Sequence, residues 1–355
     1  MRNLIIAKKH IGNEFKPFII AEMSGNHNQS LDRALRMVEE AAKAGADAIK
    51  LQTYTADTMT LNIDKEDFKI TDPNSLWYGR HLYELYEEAH TPWEWHKPIF
   101  DKASELGIIA FSTPFDHTAV DFLENLNVPA YKIASFENTD INLIRKVAST
   151  GKPIILSTGM ATLEDLQLMT KTLRESGCEN FVLLKCTSAY PASPADVNLK
   201  TIPHLVQMFD CQVGLSDHTL GIGVAIASIA LGATVIEKHF CLSRAEGGVD
   251  SDFSLEPHEL KMLVEETNNA WMALGKVNYT VSNSEKKSTK FKRSIYFIKD
   301  MQAGDKITED CIQCIRPGYG IEPKYWDKIP GMCLSTSVKR GECLSWEKLN
   351  YSITS

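Results

Sequence analysis

Two histidines, His218 and His239, each follow the end of a short apolar run. If the two runs are neighbouring strands of one parallel sheet, both imidazoles converge at the same edge of that sheet. A pair of neutral imidazoles, with the carboxylates of Asp217, Glu237 and Glu22 nearby, suits a divalent metal ion that keeps free positions for water or substrate. The same spacing is compatible with a histidine that only completes a hydrogen-bond network.

Lysines and hydroxyl side chains end the other apolar runs. The lysines are Lys50, Lys132 and Lys185, and the hydroxyls are those of Thr113, Ser135, Ser157 and Ser216. Lysine is rarely buried without a partner, so several lysines facing one pocket indicate a bound anion, to which the hydroxyls can donate hydrogen bonds. Two alternatives remain open. A single lysine could pair with a neighbouring carboxylate, or one could act as the Schiff-base nucleophile of an aldolase.

Two further segments could take part in the chemistry. Glu22 opens a polar loop that runs to Asn28, and its carboxylate could act as a general base, accept a sugar hydroxyl or only hold the loop. The turn Ser157-Thr158-Gly159-Met160 leaves backbone N–H groups free at a strand-to-helix junction. Such groups can bind an anion.

Eight short apolar runs, each followed by a helix-like stretch, carry these residues. The runs are residues 18–21, 48–49, 108–111, 130–131, 154–156, 181–184, 213–215 and 235–236. A strand buried on both faces is a short continuous apolar run, and eight such strands alternating with helices predict an α/β fold, the (β/α)₈ TIM barrel. In that fold the active site lies at the C-terminal ends of the strands, where the polar residues stand.

The chain of 355 residues exceeds the roughly 250 that such a barrel needs. We therefore predict a barrel domain over 1–279, with its last helix at about 257–274, a polar linker over 280–290, and a small β-rich domain over 291–355. A long excursion over 53–90 leaves the end of the second run and contains Tyr54, Trp77, Tyr78, Tyr83 and Tyr86. Long loops in compact domains are usually functional, so we expect it to cover the active site.

Composition excludes several classes of protein. The net charge of −8 argues against nucleic-acid binding, and no apolar run approaches the ~18 residues of a membrane span. We interpret Met1–His10 as an ordinary first segment. The eight cysteines are scattered singly, as in a reduced, cytoplasmic protein. A zinc site at Cys311, Cys314, Cys333 and Cys343 is an alternative that their wide spacing disfavours.

Seven ordered motifs resemble those of the sialic acid synthase family. They are Ala21-Glu22 with Gly25-Asn26-His27-Asn28, Ile49-Lys50-Leu51-Gln52-Thr53, Ser112-Thr113-Pro114-Phe115, Lys132-Ile133-Ala134-Ser135, Leu156-Ser157-Thr158-Gly159-Met160, Gly214-Leu215-Ser216-Asp217-His218 and Ile236-Glu237-Lys238-His239-Phe240. The tail resembles the family's antifreeze-like (SAF) domain, most clearly at Arg316-Pro317-Gly318-Tyr319-Gly320. The resemblance covers essentially the whole chain.

The resemblance implies an enzyme that condenses phosphoenolpyruvate with an N-acetylated amino sugar. It implies a divalent metal ion (Mn²⁺, Mg²⁺ or Co²⁺) on His218 and His239. The positions that match the family's phosphoenolpyruvate ligands are Lys50, Thr113, Lys132, Ser135, Ser157 and Ser216. Glu22, Asp250 and Tyr190 match positions that face the sugar or the reacting carbonyl. Arg316 matches a residue that reaches the partner's site in a domain-swapped homodimer.

Departures from the common family pattern bear on the sugar. Ser188 stands where N-acetylneuraminate synthases commonly have asparagine, Met23 and Ser24 follow Glu22, and Gln29 replaces a usual glycine. This form is most similar to the pseudaminic acid synthase branch, which uses 2,4-diacetamido-2,4,6-trideoxy-L-altropyranose and releases phosphate by C–O cleavage. Alternatives are an N-acetylneuraminate or legionaminate synthase, a Schiff-base aldolase, and a non-catalytic carbohydrate-binding protein.

Overall fold

The computed structural model describes residues 3–350, which divide into two compact units between Gly275 and Lys276. The first unit begins with an antiparallel hairpin of β1 (Leu4–Ile6) and β2 (Lys9–Ile11). Met1 and Arg2 of the predicted first segment lie outside the described residues. The hairpin itself was not predicted.

Eight parallel strands follow and close into a barrel in the order β10-β3-β4-β5-β6-β7-β8-β9. They are β3 (Phe18–Glu22), β4 (Ala48–Thr53), β5 (Ile109–Pro114), β6 (Tyr131–Ile133), β7 (Ile154–Ser157), β8 (Phe181–Cys186), β9 (Gln212–Asp217) and β10 (Val235–His239). Each predicted run forms or overlaps one of these strands, so the (β/α)₈ barrel is confirmed. β9, which His218 follows, is paired with β10, which ends at His239, as the sequence predicted.

Ten helices belong to the described part of the first unit. They are α1 (Leu31–Ala44), α2 (Ala56–Met59), α3 (Leu82–Ala89), α4 (Trp93–Leu106), α5 (His117–Asn125), α6 (Ile141–Ala148), α7 (Leu163–Glu175), α8 (Thr201–Phe209), α9 (Gly223–Ile229) and α10 (Pro257–Leu274). The first helix shows how they pack. Ser30 caps its N-terminus, Gly45 ends it in a left-handed conformation, and Met37, Val38 and Ala41 are buried on one face.

The apolar core has two layers. The larger lies between the helices and the outer faces of the strands. The smaller lies inside the barrel, where Leu4, Ile6 and Ile11 of the hairpin join one cluster with Phe18 and Ile20 of β3. Because Phe18 starts its strand, the hairpin fills the N-terminal end of the barrel. The polar chemistry is therefore confined to the opposite, C-terminal end.

The excursion after β4 is partly helical. It contains α2, a 3₁₀ turn at Glu66–Phe68 and α3. It returns to the barrel at α4, which packs against α1 and β5. No helix within residues 3–350 is long and apolar enough to cross a membrane.

The second unit is built from short strands around its own apolar core. The strands are β11 (Ser294–Phe297), β12 (Ile312–Ile315), β13 (Cys333–Leu334) and β14 (Leu349–Asn350), which pair as two antiparallel ribbons. Phe297, Ile312 and Leu334 are buried in that core. The segment predicted as a polar linker is exposed but not wholly irregular, because a 3₁₀ helix occupies Glu285–Phe291. Residues 351–355 of the predicted tail domain lie outside the described residues.

Candidate active site

A cavity of about 430 Å³ opens at the C-terminal ends of the barrel strands. Ten of the predicted site residues line it. They are Glu22, Lys50, Lys132, Ser135, Ser157, Tyr190, Ser216, His218, His239 and Asp250. Thr113 is fully buried beneath this surface, where its hydroxyl accepts a hydrogen bond from Lys50 at 3.2 Å. The structure thus brings together all the barrel residues that match the family's ligand positions.

Two buried lysines and two buried glutamates form the floor of the cavity. The Lys50 ammonium lies 3.0 Å from Glu22 and 3.3 Å from Glu237. Lys132 lies 3.7 Å from Glu237 and donates a 2.6 Å hydrogen bond to the Ser157 hydroxyl. The four charges cancel, so this floor can exist in a folded protein without a ligand.

The floor shifts the protonation equilibria of its members in different directions. Burial raises the pKa of Glu22 to about 7, although Lys50 opposes the shift. Burial lowers the pKa of Lys132 to about 8. For Lys50 the nearby carboxylates outweigh the effect of burial and raise its pKa, whereas two lysines hold the pKa of Glu237 below its usual value despite burial. Glu22 is therefore the floor carboxylate best able to exchange a proton near neutral pH.

His218 and His239 face each other at the cavity wall, with ring centroids 5.3 Å apart. The Nδ1 atom of His218 lies 2.9 Å from the Thr187 carbonyl, an orientation that fixes the ring. The Nδ1 atom of His239 is buried without a hydrogen-bond partner in residues 3–350, and Asp250 approaches it to 3.7 Å. Burial and the neighbouring His218 hold the pKa of His239 well below its usual value, so this imidazole is neutral.

These histidines have the chemistry of metal ligands but lack a third protein partner. No group of three His, Cys, Asp or Glu side chains in the described chain is placed to hold a metal ion. The neutral imidazole of His239, whose buried Nδ1 atom has no partner among residues 3–350, can bind a divalent cation, and His218 beside it can supply a second nitrogen, which leaves positions for water or substrate. The residues present therefore fit a metal ion that shares its coordination with a ligand.

Asp250 and Tyr190 complete the wall beside the histidines. Asp250 accepts a hydrogen bond from the Ser24 hydroxyl, and Gln52 donates to Ser24 at 3.2 Å and to Glu22 at 2.9 Å. The Tyr190 ring lies 4.5 Å from that of His218. The loops after the neighbouring strands β3 and β10 are thereby joined at the cavity wall.

The excursion after β4 contributes the outer wall of the cavity, in agreement with the expectation that it covers the site. The Trp77 indole donates a 2.9 Å hydrogen bond to the Val249 carbonyl, next to Asp250. Tyr54 contacts Tyr86 and Phe115 edge to face, with centroid distances of 5.9 and 5.2 Å. All six of these residues line the cavity, and all but Val249 are aromatic or acidic.

Two expectations about the strand ends are wrong. Lys185 does not line the cavity, because its ammonium donates to the Cys186 carbonyl at 2.8 Å and to the Thr187 hydroxyl at 3.1 Å. Asp217 does not join the histidines, because it pairs with Lys238 at 2.9 Å. Both errors have one cause. Successive side chains on a strand point to opposite faces, so the neighbour of an inward residue points outward.

Among the cavity-lining residues that the sequence reasoning missed are Gln52, Glu137 and Cys186, and it gave Glu237 no role beyond proximity. Two of these were within reach of the pattern, because Gln52 is two residues beyond Lys50 and Glu237 two before His239. Glu137 gave no such signal because it belongs to a 3₁₀ turn, Ser135–Glu137.

Other motif residues have structural surroundings that explain their positions. His27 is fully buried, lies 3.1 Å from the Thr91 hydroxyl, and accepts the backbone N–H of Gln29 at 3.2 Å. Ser188 borders Gly159, where a Cβ would come within 2.2 Å of the serine hydroxyl. Arg316 belongs to the second unit, where it is exposed after β12.

Comparison with known proteins gives a consistent result. The NeuB family matches residues 37–279, and the SAF domain matches residues 292–350. A pseudaminic acid synthase of Campylobacter jejuni subsp. jejuni is 45% identical over 94% of this chain and 98% of its own. A pseudaminic acid synthase of Helicobacter pylori is 42% identical over 95% of this chain and 99% of its own length. The crystal structure of an N-acetylneuraminic acid synthetase from Leptospira borgpetersenii, 31% identical, superposes with a TM-score of 0.72 over 81% of this chain and 95% of that one.

Proposed function

The chain belongs to the NeuB family, and we propose that it is a pseudaminic acid synthase. It condenses phosphoenolpyruvate with 2,4-diacetamido-2,4,6-trideoxy-L-altrose and water, and it releases phosphate. The observation that carries the proposal is the convergence of two lysines, four hydroxyls and a histidine pair at one cavity. Near-complete coverage by two curated pseudaminic acid synthases supports the choice of sugar.

Lys50 and Lys132 bind the phosphate and carboxylate of phosphoenolpyruvate in this proposal, with help from the hydroxyls of Thr113, Ser135, Ser157 and Ser216. Charge-assisted hydrogen bonds from buried ammonium groups suit both anionic ends of this small ligand. Their main contribution is positional, because holding two substrates in register converts a bimolecular step into an effectively unimolecular one.

Glu22 acts as the proton acceptor in the proposal. C3 of phosphoenolpyruvate attacks the sugar aldehyde, positive charge develops at C2, and water adds there. The former aldehyde oxygen takes up a proton and becomes a hydroxyl, and the water loses a proton to Glu22 as its oxygen bonds to C2. The C–O bond to phosphate then breaks as that oxygen loses its second proton to the departing phosphate and becomes the keto group. Glu22 is suited to take the first proton of the water because its pKa is raised to about 7 and Gln52 orients the carboxylate.

His218 and His239 would hold a divalent metal ion, Mn²⁺, Mg²⁺ or Co²⁺. When bound, it supplies Lewis-acid polarisation of the sugar aldehyde. The balance of charge in the cavity supports a bound metal cation. The floor is neutral on its own because two lysines face two glutamates, so the negative charge of phosphoenolpyruvate calls for an additional cation.

Asp250, Tyr190 and Arg316 complete the sugar site in this proposal. Asp250 and Tyr190 lie beside the histidines, where the aldehyde must be held. Arg316 is proposed to act in the barrel of a second chain, which makes the enzyme a domain-swapped homodimer. We further propose that 1–279 forms the catalytic domain, 280–290 the linker and 291–355 the SAF domain. The eight free cysteines support a cytoplasmic location.

A phosphate-release assay over a panel of sugars tests the function. We expect turnover with 2,4-diacetamido-2,4,6-trideoxy-L-altrose and little with N-acetylmannosamine. Preference for N-acetylmannosamine, or for the corresponding legionaminic precursor, would move the enzyme to another branch of the family.

One observation favours a second candidate, a Schiff-base aldolase. The lowered pKa of Lys132, about 8, makes its amine more nucleophilic than an ordinary lysine. Borohydride trapping with pyruvate distinguishes the two candidates, because only the aldolase forms an imine.

A further inference from the structure

The cavity has two chemically different sides. In the closed order of the barrel, β9 and β10 lie across the ring from β5 and β6. His218 and His239 follow β9 and belong to β10, respectively, whereas Phe115 and Glu137 follow β5 and β6. The side that faces the histidines is made of the residues after β5 and β6 and of the excursion after β4. We call it the remote wall.

The remote wall is mostly apolar. Its members from the excursion include Met59, Ile70, Leu85 and Tyr86, with Ser75 as a polar exception, and Phe115 follows β5. Tyr86 and Phe115 are held edge to face against the buried Tyr54. Interlocked aromatic rings make a preformed surface that favours contact with a methyl group.

Glu137 is an unsatisfied acceptor within this wall. Its Oε2 atom is buried and has no hydrogen-bond partner among residues 3–350. A buried carboxylate oxygen without a donor destabilises the folded protein, and a donor supplied by a ligand would remove that cost. Burial raises the pKa of Glu137 to about 7, and an N–H or O–H donor from a ligand would favour the ionised carboxylate, which only accepts hydrogen bonds.

A single acceptor set in an apolar wall matches an acetamido group, which carries an N–H donor and a methyl group. We propose that the remote wall binds the C4 acetamido group of the sugar, with Glu137 accepting its N–H and the apolar side chains surrounding its methyl. The aldehyde carbon is held at the histidines, so the C2 acetamido group stays near them. The C4 group, further along the carbon chain, reaches the opposite side. This inference rests on the proposed function.

Two sugars that differ only at C4 test it. They are 2,4-diacetamido-2,4,6-trideoxy-L-altrose and its analogue with only hydrogen at C4, which keeps the C2 acetamido group and has no hydrogen-bond donor at C4. For Glu137→Leu we expect kcat/KM with the diacetamido sugar to fall by roughly tenfold to a hundredfold, the effect of losing a hydrogen bond to a charged group. The value with the C4-deoxy analogue, which has no donor to lose, and the KM for phosphoenolpyruvate should stay within about twofold.

Three further variants test whether Glu137 and the apolar side chains act as proposed. Glu137→Gln keeps an accepting oxygen and should recover part of the loss. Ile70→Ala removes apolar contact and should cost roughly fourfold per methylene lost, again only with the diacetamido sugar. Glu105→Leu, an exposed carboxylate on α4, serves as the matched control and should change neither sugar.

Equal losses with both sugars in Glu137→Leu, or an unchanged preference between them, overturn the inference while the proposed function stands. A wild-type enzyme that releases phosphate with neither sugar overturns the proposed function, and the inference fails with it. Melting temperature and the KM for phosphoenolpyruvate identify a variant that has merely misfolded. Glu137→Gln, which preserves size, then provides the test.

Discussion

Removal of the Lys50 charge should separate ligand binding from fold stability. Lys50 is 4% exposed and lies within 3.3 Å of two buried carboxylates, Glu22 and Glu237. Lys50→Met keeps the aliphatic stem and deletes the ammonium. The carboxylates are then left without their shared cation, which costs about 3 to 5 kcal/mol for a broken buried pair. We expect the free energy of unfolding, measured in urea at pH 7, to fall by that amount.

Catalysis should fall for a separate reason. A charge-assisted hydrogen bond to phosphoenolpyruvate contributes about 1.5 to 3 kcal/mol, which corresponds to roughly tenfold to over a hundredfold in kcat/KM. Lys185→Met is the matched control, because Lys185 bonds to the Cys186 carbonyl and the Thr187 hydroxyl outside the cavity. We expect the control to retain activity within about threefold, the effect of a neutral hydrogen bond or less.

A double variant, Lys50→Met with Glu237→Gln, distinguishes the two effects. Glu237→Gln removes one of the stranded charges, so part of the lost stability should return. The KM for phosphoenolpyruvate should remain high, because no ammonium has been restored. An unchanged KM for phosphoenolpyruvate in Lys50→Met, or an equal rise in Lys185→Met, would refute the proposal that Lys50 binds phosphoenolpyruvate.

Three other predictions follow from the same geometry. Chelation should abolish activity and Mn²⁺, Mg²⁺ or Co²⁺ restore it, whereas His218→Ala and His239→Ala should lose most of the metal response in a phosphate-release assay; a fully active, chelated His239→Ala enzyme would end the metal proposal. His96 is a buried residue of α4 whose Nε2 atom lies 2.7 Å from the Thr53 hydroxyl, and burial lowers the pKa of His27 and of His96 to about 4. Each imidazole is neutral in the folded protein, so its full contribution to the free energy of unfolding is present above pH 6.5 and is lost as the pH falls toward 4, by up to roughly 3 kcal/mol per histidine. Urea titrations at pH 7, 5 and 4 measure this loss. His96→Asn should make it smaller, and an unchanged pH profile would count against the lowered pKa of His96. Mixing Arg316→Ala chains with His239→Ala chains should restore activity if Arg316 acts in the partner's barrel, and no recovery in proven heterodimers would assign the arginine to its own chain.

The barrel and the cavity floor could be predicted because both depend on strand periodicity. Eight buried apolar runs gave eight strands, and the polar residue that ends each run lies at the C-terminal end of the barrel. The errors at Lys185 and Asp217 came from assigning every polar residue near a strand end to the cavity, whichever face of the strand its side chain is on. Applied strictly, the alternation of side chains would have selected Glu237 and Gln52 and rejected Asp217.

The hairpin and the remote wall could not be predicted in this way. The hairpin of β1 and β2 has only three residues in each strand, too few to show alternation. Glu137 lies in a 3₁₀ turn, and the excursion brings Ile70 and Tyr86 to the cavity through tertiary contacts that no local pattern encodes.

This division corresponds to a division of labour in the proposed reaction. Strand ends are rigid and repeat around the barrel, so they are suited to a ligand whose anionic groups must be held at fixed positions, as phosphoenolpyruvate requires. Loops can differ between related barrels without disturbing the floor, so they are suited to distinguishing one sugar from another. In this chain Lys50, Lys132 and the histidine pair lie at the strand ends, whereas the remote wall, with Glu137, belongs to the connections between strands and helices. Substitutions in the remote wall should therefore change which sugar reacts, and substitutions in the floor should change whether any sugar reacts.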